Sequence, residues 1–168
     1  MPVSTNQAFW QQIKKTDLAR MHLWTVVLPG RTGPESEFYC ISASWPDKKI
    51  GEIKTPYLGF SFKLPNTAKF DSPWKVKVRS DMGNEIRQRF SEWADSIYNW
   101  NTGIGATFDE LEDAELVLLD TKLEKTLKIR MEGMFPTLVG EVTYVYDPQD
   151  KIVEFDVTFA FQGWNIVK

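Results

Sequence analysis

The chain holds one cysteine, Cys40, and one histidine, His22. A thiol beside an imidazole can act as nucleophile and base, and these two fall on neighbouring predicted strands. No third group at a useful spacing would orient the imidazole, so a small buried thiol and a strand-edge histidine are the simpler expectation. The same counts exclude an intrachain disulfide framework and a structural zinc site needing about four Cys and His ligands. A triad with a histidine base has only His22 to draw on. The acidic run Asp109, Glu110, Glu112, Asp113 and Glu115 lacks the spacing and glycine of an EF-hand loop and reads as a solvated loop. Carboxylate pairs for acid–base chemistry abound among 23 acids, and nothing singles one out. Gly103-Ile104-Gly105 follows a predicted helix rather than a strand, unlike a phosphate-cradling loop. Lys75, Lys77 and Arg79 form a basic stripe, for which a solvated surface strand is the plainer reading than a phosphate site.

Elements that would position these residues follow from composition and periodicity. At 168 residues, 42% hydrophobic and 26% charged, the chain suits one domain with a real core. Its net charge of −3 lacks the basic excess of duplex-DNA binders. No apolar stretch approaches a membrane span and the first residues lack a secretory pattern, so an intracellularly made, soluble product is expected. Aromatics are abundant, with Phe 11, Trp 7 and Tyr 5. Most fall on predicted apolar faces rather than in a basic groove suited to stacking on single-stranded nucleic acid.

Residues 4–15 read as a short helix, with Ser4 and Gln7 spaced as a capping box. Bulky and β-branched residues at 21–28 read as a strand that stops at Pro29-Gly30. Residues 37–44 read as a second strand in a hairpin with the first. Residues 73–80 alternate, with Trp74, Val76 and Val78 on one face. Ile86, Phe90, Trp93, Ala94 and Ile97 make one stripe of a helix over 84–98, capped by Asp81 or Asn84. Residues 99–113 read as a Gly- and acid-rich loop. The last third reads as strand: 114–120, an alternating run around Leu127, Ile129 and Met131, 141–147, and 153–161. Gly133-Met134-Phe135-Pro136 and Gly140 read as turn chemistry, as does the stretch from Asp147 to Asp150.

Residues 45–72 resist this reading. Pro46, Pro56 and Pro65 argue against a central strand, yet Trp45, Ile50, Ile53, Tyr57, Phe60 and Phe62 are too bulky for a merely solvated loop. A long protruding segment with a short hairpin at 57–64 is expected, packing on another subunit, because monomers rarely expose a large contiguous apolar patch. The fold class is therefore α+β, mainly β: an antiparallel β-sandwich or barrel, one flanking helix over 84–98, and a long protruding loop over 45–72.

At this level of detail the sequence resembles the tail tube proteins of contractile-tailed, T4-like bacteriophages. Leu18-Ala19-Arg20 followed by Leu23-Trp24-Thr25-Val26 is similar to the family's first strand. The stretch from Phe38 to Pro46 resembles its second strand entering a long loop, and Asp71 to Val78 with the helix from Asp81 to Trp93 follows in the family's order. The most specific block is Glu132-Gly133-Met134-Phe135-Pro136-Thr137-Leu138-Val139-Gly140-Glu141, followed by a strand hairpin and Trp164. The loop at 99–113 matches no family pattern.

That resemblance implies one tail-tube domain over 1–168 and no catalytic centre or cofactor. It implies hexameric rings that stack into a rigid tube, with each subunit's strands continuing a lumenal barrel. Its implied partners are other copies of itself, the tail sheath protein, a baseplate tube initiator and a tail terminator, with DNA in transient passage and no membrane binding. Its implied location is the virion tail, after assembly in the host cytoplasm. The long loop would contact neighbouring subunits and rings through Trp45, Ile50, Ile53, Tyr57, Phe60 and Phe62. Repulsion of phosphates favours a polar, acidic lumen, which makes Glu154, Asp156 and Thr158 candidate lumen-facing residues. The alternatives are the inner tube of a phage-derived contractile injection system and, from a different class, a monomeric β-sandwich binding module.

Overall fold

The computed structural model describes residues 5–15, 19–105, 108–146 and 151–167. Among these the elements run α1 (Thr5–Lys15), β1 (Trp24–Val27), α2 (Ser36–Tyr39), β2 (Cys40–Ala43), β3 (Lys49–Tyr57), β4 (Phe60–Lys69), β5 (Trp74–Arg79) and α3 (Glu85–Ile97). They continue with β6 (Tyr98–Asn99), β7 (Ile104–Gly105), β8 (Glu112–Leu119), β9 (Lys125–Val139), β10 (Glu154–Ala160) and β11 (Gly163–Val167). The expected class is borne out: mainly antiparallel β with α3 packed against the strands. Ser4, the first half of the expected capping box, and the expected turn at 147–150 lie outside the described residues.

One long strand organises the body. The first part of β9 pairs with β8 on one side and β11 on the other, and β1 extends that layer beyond β8. Its last residues pair with β10, which continues through β5 to β2 in a second layer. Two irregularities let β9 change layers. Between Met131 and Met134 it carries one residue more than β8, and Gly133 there has φ +61°. The Asp113 carboxylate accepts the Gly133 N–H at 3.0 Å and the Arg130 guanidinium at 2.6 Å, which fixes the kink. A second extra residue, Thr137, follows Pro136, and its hydroxyl donates to the Thr158 carbonyl at 3.1 Å. A proline inside a long strand is tolerated at such a bulge because no ladder N–H is required of it.

The core is aromatic. Trp74, Val76 and Val78 of β5 and Phe155, Val157 and Phe159 of β10 are buried against Ile86, Phe90 and Trp93 of α3. Phe159 sits at the centre, with ring centroids 5.7 Å from Trp74 and Trp93 and 6.1 Å from Phe90. At the start of α3, Asp81 takes the capping role, accepting the N–H groups of Gly83 and Ile86 at 3.2 Å. Asn84 instead lies in the left-handed region and accepts the Ser80 hydroxyl.

Four expectations are corrected. β1 and β2 do not form a hairpin; they lie in opposite layers. Residues 28–39 fold into a turn at Gly30–Thr32 and into α2, carrying the chain across the end of the sandwich. The buried Thr32 and Ser36 hydroxyls hold that crossing, bonding each other and the carbonyls of Pro29 and Gly33. Gly133 to Pro136 is not a turn, because glycine and proline here serve bulges within β9. Residues 141–146 belong to no sheet. Within 99–113, the chain forms the small β6–β7 hairpin and the start of β8.

Candidate assembly surface

The protruding segment is a ribbon. β3 and β4 pair with each other alone, over registers from Lys49↔Lys69 to Tyr57↔Phe60. Leu58 and Gly59 close it with φ of +47° and +83°, the backbone a two-residue hairpin turn requires. The hairpin is thus longer than the one expected at 57–64. Both strands are edges, so Pro56 and Pro65 leave no central ladder position empty.

Directly paired residues share a face, and the pairs alternate. Ile53 with Leu64, Thr55 with Phe62, and Tyr57 with Phe60 lie on one side. Glu52 with Pro65, Lys54 with Lys63, and Pro56 with Ser61 lie on the other. Glu52 bridges Lys63 at 2.9 Å and Lys54 at 3.9 Å, easing the repulsion of the two facing lysines. The ribbon is amphipathic, and its apolar face is bare: Phe60 is 73% and Phe62 55% exposed.

The six residues expected to make subunit contacts do not form one set. Ile53, Tyr57, Phe60 and Phe62 share the apolar face. Ile50 lies beyond an irregularity at Gly51. Trp45 stands at the root, edge-on to Trp164 at 6.5 Å, while the Trp164 indole donates to the Asp47 carbonyl at 2.9 Å. Leu64 completes the face and was missed. The signal was a period of two running Ile53, Thr55, Tyr57 and then, across the turn, Phe60, Phe62, Leu64.

Glu154, Asp156 and Thr158 do share one outer face, in register with Arg79, Lys77 and Lys75 of β5. The acids lie 3.9 Å from Arg79 and Lys77. The basic stripe and the acidic stripe of the sequence are therefore two halves of one mixed face. Lys128 and Arg130 belong to the other layer, paired with Glu115 at 2.7 Å and Asp113 at 2.6 Å.

His22 and Cys40 line one shallow cleft with Glu37 and Trp24. Burial, reinforced by Glu37, pushes the Cys40 thiol up to about 12. The thiolate needed by a nucleophile is thus scarce at neutral pH. The acidic run is also occupied: Arg31 bonds Glu110 at 2.6 Å, Glu112 and the Ser96 hydroxyl, and lies 5.9 Å from the Trp93 ring centre. Among the described residues no group of three or more His, Cys, Asp or Glu could hold a metal ion, and no helix is long and apolar enough to cross a membrane.

The chain is similar in sequence to phage tail tube proteins. Tail tube protein gp19 of Enterobacteria phage T4 is 26% identical over 152 residues, covering 89% of this chain and 92% of that protein. The gp19 protein of Enterobacteria phage T6 matches to the same extent. The fold is shared with the tube-terminating cap of the anti-feeding prophage, at TM-score 0.65 and 16% identity, over 89% of this chain and 91% of that one. It is shared also with a chain of the PVC contractile injection system sheath–tube complex, at TM-score 0.64 and 16% identity, over 94% and 96%. The profile described as phage tail tube protein matches residues 19–167, and the chain belongs to that family, as a structural component of the phage tail.

Proposed function

We propose that residues 1–168 act as one tail-tube domain that closes into hexameric rings, and that the rings stack into the tube through which phage DNA passes. The observation that carries this reading is the β3–β4 ribbon, whose apolar face is exposed and has nothing to cover it among the described residues. A bare face of this kind is tolerated when assembly buries it. Ile53, Tyr57, Phe60 and Phe62 make the contact between subunits, with Trp45 anchoring the ribbon root and Ile50 beside it.

Glu154, Asp156 and Thr158 face the lumen in this reading. Their pairing with Arg79 and Lys77 makes the wall nearly neutral rather than acidic, so a duplex is neither held nor strongly repelled. The tail sheath protein surrounds the tube, and an initiator at the baseplate and a terminator at the far end are its remaining partners. No catalytic step or cofactor enters this function, in keeping with the protonated Cys40 thiol.

The test is Phe60→Ser with Phe62→Ser. Both side chains lie outside the body core, so the subunit stays folded by circular dichroism. It fails to form tubes in negative-stain electron microscopy, even when seeded with tube fragments. Normal tubes from this variant overturn the reading.

A further inference from the structure

Two parts of the molecule have unmet needs of the same kind. The ribbon is an isolated two-stranded sheet, and such sheets are marginal until a third strand or a packing partner is added. Residues 141–146 are the converse. Val142, Thr143, Tyr144, Val145 and Tyr146 are all strand formers, yet the segment belongs to no sheet. No backbone group of theirs meets a partner among the described residues. Val142 packs against the body core and the Tyr144 hydroxyl lies 3.4 Å from Asn84, while Tyr144, Val145 and Tyr146 are exposed. A run with those propensities and an open backbone is a template for another strand.

The two parts sit at opposite ends of the second layer. The ribbon is rooted beside Trp74, where the Ser44 N–H meets the Lys75 carbonyl. Residues 141–146 leave the sheet past Gly140, toward the end where Ser80 bonds Val153. A surface at one end that fits a different surface at the other generates an open stack rather than a closed pair. The charges agree with this. Residues 48–69 carry five lysines against one glutamate, and residues 141–153 carry three acids against one lysine.

We propose that residues 141–146 of one copy add as a third strand to the β3–β4 ribbon of a second copy in the adjoining ring. Tyr144 and Tyr146, two residues apart on one face of the added strand, then cover part of the ribbon's apolar face, and Thr143 and Val145 lie on the side of Ser61 and Lys63. This rests on the ribbon being an assembly contact and names the surface that receives it.

Hydrogen exchange on the unmodified protein, comparing free subunits with bare tubes, is the first test. Amides of 141–146 exchange rapidly in the subunit and slow by about 100-fold in the tube, together with those of 49–69. Protection of 49–69 alone overturns this proposal and leaves the ribbon as a contact. Protection of neither overturns the ribbon reading as well. The second test uses a Cys40→Ser background, pairing Ser61→Cys or Lys63→Cys with Thr143→Cys or Val145→Cys. At least one pairing, oxidised in tubes, gives an open-ended ladder of crosslinked subunits; tubes without a ladder from any pairing overturn the proposal.

Discussion

Three glycines that look alike in the sequence have different reasons to be glycine, and alanine at each separates them. A Cβ on Gly140 would lie 2.6 Å from the Asp156 carbonyl oxygen and 3.2 Å from its nitrogen, both backbone atoms in a paired strand. Relief requires β9 and β10 to separate by a good fraction of an ångström. That also lengthens the Gly140 N–H to Asp156 bond, now 2.7 Å, and weakens it. A weakened interstrand hydrogen bond plus a strained backbone contact costs about 2–3 kcal/mol. At Gly133 the nearest atom is the Gln162 Cγ at 2.7 Å, on a flexible exposed chain that can swing away. There the main cost is the left-handed backbone, about 1–2 kcal/mol. Gly59, with φ +83° and no atom within 4 Å, carries the backbone cost alone, and in a ribbon detached from the body. Urea unfolding of the free subunit, followed by circular dichroism, measures all three. Gly140→Ala shifts the midpoint most, Gly133→Ala less, and Gly59→Ala hardly at all for the body transition. A Gly140→Ala subunit as stable as Gly59→Ala refutes the close approach of β9 and β10.

Other outcomes follow from the same geometry. Phe159→Ala removes the ring that touches Trp74, Phe90 and Trp93 and costs about 3–5 kcal/mol in urea unfolding, with an unchanged slope. The Arg130 guanidinium and the Gly133 N–H hold the Asp113 carboxyl below the usual carboxylate range, against a smaller opposing effect of burial. A depressed folded value means that the stabilisation is complete above the unfolded value of about 3.9 and is lost as pH falls through the folded one. Subunit stability is therefore level from neutral pH to about 5 and declines below about 4, and Asp113→Asn flattens that decline; an unchanged acid limb contradicts the assignment. With its thiol pushed up to about 12, Cys40 reacts slowly with iodoacetamide at pH 8 in the folded subunit and rapidly in urea. Equal labelling rates contradict its burial.

Alternation and helical periodicity carried much of the fold. Trp74, Val76 and Val78, and the stripe Ile86, Phe90, Trp93, announce a half-buried strand and a docking helix, because each is local. Strand partners are not local. β1 ends at a proline and a glycine, which reads as a tight turn, yet Thr32 and Ser36 bury their hydroxyls and turn the chain into a crossing between layers. Gly133 and Pro136 carry the composition of a turn but serve bulges, and only the partners of β9 reveal which. The apolar excess of 45–72 was legible as exposed surface, because six large residues lacked an evident core. Its division into a ribbon face and a root at Trp45 required the register. The mixed face of β5 and β10 was not legible, since nothing in either strand tells which other strand lies beside it.

The shared strand has a mechanical consequence. Two layers held only by side-chain contacts can shear past one another as those contacts re-form. Here β9 runs through both, so sliding would have to stretch peptide backbone and open ladders in each layer at once. Close-packed interiors already transmit strain efficiently, and a covalent tie through the middle adds a load path that does not creep. Torque applied to one layer arrives at the other along fifteen residues of continuous chain.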